Sequence, residues 1–178
     1  MQVCAALIEQ WQLVFPEAAH LLWQAGRYIY EQASFYTQAE PLLQQSLAIY
    51  VHSLTPEHAD VAQILTYLGR ISHEQGKYSE AGALFQRALA LQEDASSVEH
   101  PDVAHSLSFL ATFYIDQGKY EQAEPLCQRI IRIFEQSPVS DELQLAQGLN
   151  MLANVYYSQG KYERAESFFQ QILTIRER

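Results

Sequence analysis

One stretch of this chain recurs at a fixed interval, and the interval limits the folds open to it. The stretch is Tyr114-Ile115-Asp116-Gln117-Gly118-Lys119-Tyr120-Glu121-Gln122-Ala123-Glu124-Pro125-Leu126. Forty-two residues earlier stands Ser72-His73-Glu74-Gln75-Gly76-Lys77-Tyr78-Ser79-Glu80-Ala81. Forty-two residues later comes Tyr156-Tyr157-Ser158-Gln159-Gly160-Lys161-Tyr162-Glu163-Arg164-Ala165-Glu166. A degraded copy lies 84 residues upstream, from Tyr30 to Leu42, with Ser34 in place of the glycine. Four copies in register, at a period between roughly 20 and 50 residues, define a repeat architecture whose units bury their apolar faces against neighbours.

Each copy reads as helix, tight turn, helix. Before Gly118, the residues Leu107, Leu110, Ala111 and Tyr114 are spaced to form one stripe of a helix. Leu65, Leu68, Gly69 and Ser72 match them in the preceding copy, and Leu149, Leu152, Ala153 and Tyr156 in the following one. The glycine supplies the left-handed conformation that ends a helix at low steric cost. A second helix then runs through Tyr120, Ala123, Cys127, Ile130, Ile131 and Phe134. Ala81, Ala123 and Ala165 share one column, as expected where two helices cross too closely for a larger side chain.

A small residue, an aromatic, Gly-x-Tyr, then Ala at these offsets resembles the tetratricopeptide repeat. The 42-residue unit, with Glu99-His100-Pro101-Asp102-Val103-Ala104 and the Gly118–Leu126 segment, looks like its kinesin-light-chain type. Armadillo and HEAT repeats share the period but lack the Gly-x-Tyr turn, and a WD40 propeller would need strand alternation and a Trp-Asp pair. The resemblance implies an all-α, right-handed superhelical solenoid of helix hairpins. Four hairpins are expected, at about residues 17–56, 57–98, 99–140 and 141–178. Residues 1–16 read as the tail helix of a preceding half-repeat, because Cys4, Ala5, Leu7 and Ile8 fall on the column positions of Ile130, Ile131, Ile133 and Phe134. The first hairpin is irregular: Gly26 and Arg27 occupy columns held elsewhere by Leu and by Gly or Ala. Pro, Ser and acidic residues near 55–60, 98–102 and 137–142 suit helix ends and starts.

The net charge of −10 opposes unassisted binding to nucleic acid or an anionic membrane, each of which needs a basic face. It favours a basic partner or simply a solvated outer surface. No apolar run approaches the ~20 residues of a membrane span. Cys4 and Cys127 are too isolated to suggest a disulfide framework, so a reduced, cytoplasmic setting is expected. His58 and His100 share a column but stand one repeat apart, too far for a common metal ion. No phosphate loop or nucleophile–base motif occurs, so neither cofactor nor catalysis is expected.

The resemblance implies that the first helix of each hairpin lines a concave face that binds peptides. Positions off the packing stripe can be read by register. One column is Gln24, Thr66, Ser108 and Asn150; the next is Tyr28, Arg70, Thr112 and Asn154. A further turn brings His73 and Tyr157. These ten residues form the candidate peptide-binding stripe, with Arg70 as its cation for a partner carboxylate and the Asn side chains as donors and acceptors for a peptide backbone. Two readings follow. One is an interaction scaffold that holds a protein or peptide segment in the groove. The other is the recognition region of a larger signalling NTPase, because Glu9 to Ala19 is similar to the entry of repeats that follow a STAND-type nucleotide-binding domain. Self-association through an uncapped end is expected from the apolar pattern of Phe168 and Leu173.

Overall fold

The computed structural model describes residues 16–33, 36–53, 59–95, 100–137 and 142–177. They form α1 (Pro16–Ala33), α2 (Tyr36–Ser53), α3 (Ala59–Glu74), α4 (Tyr78–Ala95), α5 (Pro101–Asp116), α6 (Tyr120–Gln136), α7 (Glu142–Ser158) and α8 (Tyr162–Arg176). Among the described residues there is no strand. The fold is therefore the all-α helix-hairpin solenoid type that the 42-residue period predicts. The expected tail helix before Pro16, the turn residue Ser34, His58 and the repeat boundaries within 54–58, 96–99 and 138–141 lie outside the described residues. The chain divides into two compact units, Met1–Ala95 with α1–α4 and Ser96–Arg178 with α5–α8. Each unit contains two hairpins.

The turn inside three of the hairpins is the same hydrogen-bonded motif. Gly76, Gly118 and Gly160 take φ of 74°, 68° and 76°. The amide of Gly118 donates to the Ile115 carbonyl at 2.9 Å, and that of Lys119 to the Tyr114 carbonyl at 2.8 Å. This pair is the Schellman closure, which satisfies carbonyls that the end of a helix leaves without partners. The Lys119 carbonyl then accepts from Ala123 at 3.1 Å and starts α6. Gly-Lys-Tyr thus ends one helix and opens the next within three residues.

Close crossing explains the small residues. Ala39, Ala81, Ala123 and Ala165 are all buried. A methyl group built on Gly69 would stand 2.8 Å from the Phe85 ring, so only glycine permits that approach. In the first hairpin the glycine sits one position earlier: a methyl on Gly26 would meet Leu43 at 2.8 Å. Leu43 and Phe85 belong to the same column, so the crossing is preserved and its small residue has moved.

Within the first unit, Leu22, Trp23, Leu43, Ile64, Leu65 and Ile71 form the centre of the core. Polar bonds tie its hairpins together. The Tyr50 hydroxyl donates to Asp60 at 2.6 Å, and the Gln75 side chain donates to Glu40 at 2.8 Å. In the second unit Leu107, Ile130, Ile133, Leu149, Leu152 and Val155 are buried. There Glu124, in the same column as Glu40, accepts from the Tyr156 hydroxyl at 2.9 Å and faces Lys161 at 3.9 Å. The recurring Ala-Glu-Pro-Leu segment thus supplies a carboxylate that receives the next hairpin. Tyr114, expected on the packing stripe, is only half-buried.

The last helix shows what an uncovered face looks like. Ile131 lies against Gly148 of α7 and is buried, whereas its column partner on α8, Leu173, is 59% exposed. Phe169 is exposed as well. Phe168 behaves differently from the expectation: its ring stacks on Tyr156, centroids 5.7 Å apart. No helix of the described residues is long and apolar enough to cross a membrane.

Candidate functional site

The candidate residues all stand on α1, α3, α5 and α7, the first helices of their hairpins, but the two units place them in different surroundings. In the second unit they border an open cavity. In the first, Gln24 and Arg70 join a packed cluster of rings and guanidinium groups, and the others lie apart from it.

Between α5 and α7 lies a cavity of about 370 Å³ lined by His105, Ser108, Phe109, Thr112, Gln144, Gln147, Asn150 and Met151. Three of the residues singled out from the sequence, Ser108, Thr112 and Asn150, meet here. Thr112 and Asn150 are exposed. Ser108 is half-buried, and its hydroxyl donates to the Ala104 carbonyl at 2.8 Å, which leaves its oxygen as an acceptor. Asn154, one turn further along α7, is exposed beside the cavity rather than in its wall. Tyr157 is 60% exposed and meets Tyr162 edge-on at 5.3 Å, at the end of the same helix. The lining contains no Asp, Glu, Lys or Arg. The wall offers carboxamides, hydroxyls and an imidazole around two large apolar side chains, a composition suited to a peptide segment.

Five lining residues were missing from the candidate stripe: His105, Phe109, Gln144, Gln147 and Met151. The signal for them is register. His105 and Gln147 precede the Ser108–Asn150 column by one turn, and Phe109 and Met151 follow it by one residue. A helical face is wider than two columns, and the stripe needed extending toward the N-terminus and sideways.

In the first unit, Trp23 meets Tyr67 edge-on at 5.0 Å, and Tyr67 meets Tyr30 at 5.5 Å. The Arg70 guanidinium lies 4.5 Å from the Tyr30 ring centre and 5.3 Å from that of Tyr67. Arg27 lies 5.7 Å from the Trp23 ring and donates to Gln24 at 2.9 Å. Arg70 is therefore engaged with two aromatic faces, the surroundings in which its expected role as a cation for a partner's carboxylate would have to operate. Cation–π contact of this kind fixes the guanidinium plane and takes up part of its charge. The Tyr67 hydroxyl donates to Glu31. Burial, and then that bond, push its phenol up to about 12. Burial also raises Tyr30, against the opposing pull of Arg70.

The remaining candidates of this unit divide. Tyr28 is 52% exposed and open to a partner. His73 is half-buried against Tyr78, rings 5.6 Å apart. Thr66 is buried, and its hydroxyl donates to the Ala62 carbonyl at 2.9 Å within its own helix. As at Ser108 the oxygen stays an acceptor, but at 6% exposure it is far less accessible than that of Ser108.

The first helix differs in composition from the other three of its kind. Trp23 stands where the other first helices carry Leu65, Leu107 and Leu149, and Arg27 where they carry Gly69, Ala111 and Ala153. At these two positions α1 carries larger side chains than α3, α5 and α7 do.

Among the described residues no group of three or more His, Cys, Asp or Glu could hold a metal ion. Cys127 is buried, and burial pushes its thiol up to about 12, so at neutral pH it stays protonated and unreactive.

Comparison with known proteins agrees with this geometry. The family model described as Tetratricopeptide repeat matches residues 17–94 and 102–178. Among solved structures, BtubC (BKLC) from P. vanneervenii is similar with a TM-score of 0.86 at 20% identity, over 92% of this chain and 65% of that one. The kinesin light chain of nearly identical TPR-like repeats from Podosopora anserina gives 0.79 at 24% identity, over 98% of this chain and 82% of that one. Aspartyl phosphate phosphatase F from Bacillus subtilis gives 0.79 at 18% identity, over 91% of this chain and 41% of that one. This chain thus spans less than two thirds of the BtubC chain and less than half of the phosphatase. At these identities the likeness concerns the fold. No curated protein sequence matches the chain.

Proposed function

The chain belongs to the tetratricopeptide repeat family, and from that premise we propose that it is an interaction scaffold whose second unit holds a segment of a partner protein between α5 and α7. Scaffolds of this repeat type typically mediate protein–protein interaction, and the segment-binding cavity is the finer step proposed for this chain. The observation that carries it is the cavity of about 370 Å³, whose walls hold no Asp, Glu, Lys or Arg and offer hydrogen bonds around Phe109 and Met151. An extended peptide needs both donors and acceptors for its backbone, and Gln147 and Asn150 each supply both. Phe109 and Met151 would receive one apolar side chain, Met being able to adapt its shape to what it meets.

The scaffold reading assigns no catalytic step. The Cys127 thiol, the one soft nucleophile among the described residues, is buried and held protonated. A buried free thiol also suits a reducing, cytoplasmic setting. Partners are proteins or peptides, and the charge of −10 argues against nucleic acid and anionic membranes.

The test is a fluorescence titration of the full chain with a library of labelled seven-residue peptides, run on wild type, Asn150→Ala and Thr112→Ala. Each variant should lose about fivefold to tenfold in affinity, the worth of one hydrogen bond with its partner stranded. Both side chains are exposed, so the thermal midpoint should not move. Binding that is indifferent to both variants would remove the site from this cavity.

A further inference from the structure

Along α8, Tyr162, Glu166, Phe169, Leu173 and Arg176 follow one another at intervals of four, three, four and three residues. That spacing sets them on a single stripe of the helix. All five are exposed. The same columns on α6 hold Tyr120, Glu124, Cys127, Ile131 and Phe134, and there every one is buried or half-buried. The stripe of α6 is an interface: Ile131 lies against Gly148 of α7, and Glu124 accepts from the Tyr156 hydroxyl. The stripe of α8 therefore has the form of a helix-packing face, at positions that the described residues leave uncovered.

Its ends distinguish it from that of α6. Where α6 closes its stripe with Phe134, α8 has Arg176, and Glu166 stands in the column of Glu124. A cation in a last turn suits the helix dipole and by itself names no partner. Its place relative to the rest of the stripe does. Glu166 and Arg176 each lie five residues from Gln171, and Phe169 and Leu173 each lie two. A stripe with that symmetry is complementary to itself when turned end for end. The Gln170 amide donates to one oxygen of Glu166 at 3.5 Å, a long bond that leaves the other oxygen as an acceptor. Of the remaining described charges, Glu163 and Arg164 lie off the stripe by register, and Arg164 lies over the Tyr156 ring. Glu177, at the cap, stands at the stripe's edge and offsets part of the attraction.

We propose that two copies of this chain pair through α8, antiparallel about a two-fold axis at Gln171. Phe169 of each copy then meets Leu173 of the other, and Glu166 of each meets Arg176 of the other. The two apolar pairs supply the attraction by leaving water. The two ion pairs set the direction, because a parallel pair would place Glu166 against Glu166 and Arg176 against Arg176. A contact of this size belongs to weak, concentration-dependent dimers. It is separate from the cavity between α5 and α7 and does not depend on what that cavity holds. The competing occupant is a further helix hairpin, packed on α8 as α7 packs on α6, which requires no such symmetry.

Sedimentation equilibrium of the full chain, up to about 1 mM, reads the association. Wild type should show a monomer–dimer equilibrium, and Leu173→Ser should lose it. Glu166→Arg leaves both ends of the stripe basic, and Arg176→Glu leaves both acidic. By symmetry each single change turns two attractive pairs into two repulsive ones. With an exposed ion pair changing affinity by up to about fivefold, each variant alone should dimerise at least about tenfold more weakly. Overall repulsion cannot mimic this, since Glu166→Arg moves the chain toward neutrality and would tighten a dimer limited by net charge. Mixed in equal amounts, the two variants should associate about as tightly as wild type, because each basic end then faces an acidic one. All the substituted positions are exposed, and circular dichroism checks that the helices persist.

A strict monomer at about 1 mM overturns the proposal and leaves the stripe to a further hairpin. A dimer indifferent to Leu173→Ser overturns it by placing the contact on another face. A mixture of the two charge variants that associates no better than either alone overturns it as well, because the antiparallel register is then not the one used.

Discussion

Replacing Gly118 by alanine isolates the energy of one backbone angle. Gly118 has φ of 68°, and a methyl group built on it meets nothing within 4 Å. Packing therefore contributes nothing to the change. What remains is the left-handed conformation itself, which costs an L-residue about 1–2 kcal/mol. Gly148→Ala is the matched control. Gly148 lies inside α7, where alanine should gain up to about 1 kcal/mol of helix propensity. There the new methyl would stand 3.0 Å from an Ile130 methyl and 3.3 Å from Ile131, so the gain is offset by crowding and the net should be near zero. Gly118→Asn completes the series, because asparagine tolerates the left-handed region better than alanine.

The assay is urea unfolding of the full chain. Both tryptophans, Trp11 and Trp23, precede the second unit, so helix circular dichroism is the readout for it. With a slope of about 1–3 kcal/mol/M, Gly118→Ala should lower the second unit's midpoint by roughly 0.5–1 M. Gly118→Asn should lower it less, and Gly148→Ala should scarcely move it. Equal midpoints for Gly118→Ala and wild type would refute the reasoning, since they would mean that the turn does not hold its positive φ in solution. An asparagine variant weaker than the alanine one would refute it by another route, because the order of left-handed preference would then be inverted.

Two shorter predictions come from the interior. Ala123 is fully buried at the α5–α6 crossing, so Ala123→Leu should cost roughly 1–3 kcal/mol by overpacking, read as a lower thermal midpoint. Tyr67 should shape the alkaline limb of stability: its phenol is raised from an ordinary 10.0 to about 12 by burial and its bond to Glu31, so the contribution is complete below pH 10 and lost as pH rises toward 12. Tyr67→Phe should flatten the fall in that window, measured as unfolding midpoint against pH, and an unchanged slope would show that Tyr67 ionises equally easily folded and unfolded.

How much of this was legible in the sequence depends on whether a position is governed by the period. The Ala39, Ala81, Ala123 and Ala165 column follows from the crossing, and Gly118 from the turn, because backbone geometry demands those residue types wherever the hairpin recurs. Groove positions are different, since the fold accepts many side chains there. Register alone brought Ser108, Thr112 and Asn150 to one face, and the structure gathers them around one cavity. It could not show that the Thr66 hydroxyl turns back to Ala62, or that Arg70 lies on Tyr30 and Tyr67. The Thr66 bond recurs at Ser108 and Ala104, but the stacking of Arg70 depends on ring side chains that have no periodic rule. Phe168 shows the same limit: its column is periodic, yet it stacks on Tyr156 while Leu173 stays exposed.

The oddity at Gly26 and Arg27 links the two kinds of position. Elsewhere the column of Gly26 holds Leu68, Leu110 and Leu152, and that of Arg27 holds Gly69, Ala111 and Ala153. Both departures have one cause if the small residue at the crossing moves back by one position. Gly26 then receives Leu43 as Gly69 receives Phe85. Position 27 is released from the crossing and accepts a long cation, which lies against Trp23. The two substitutions should therefore be coupled. Gly26→Leu alone should be strongly destabilising, because even its first side-chain carbon would stand 2.8 Å from Leu43. Arg27→Gly alone should lose the ring contact and helix propensity. Together they restore the pattern of the second hairpin and let the crossing return to position 27. The double variant should thus be more stable than the sum of the single effects predicts, by at least about 1 kcal/mol, within the range observed for contacting residues. A double-mutant cycle followed by tryptophan fluorescence, which reports directly on Trp23, measures the coupling. Strict additivity would show that the two positions are independent and that the shifted crossing is not what admits Arg27.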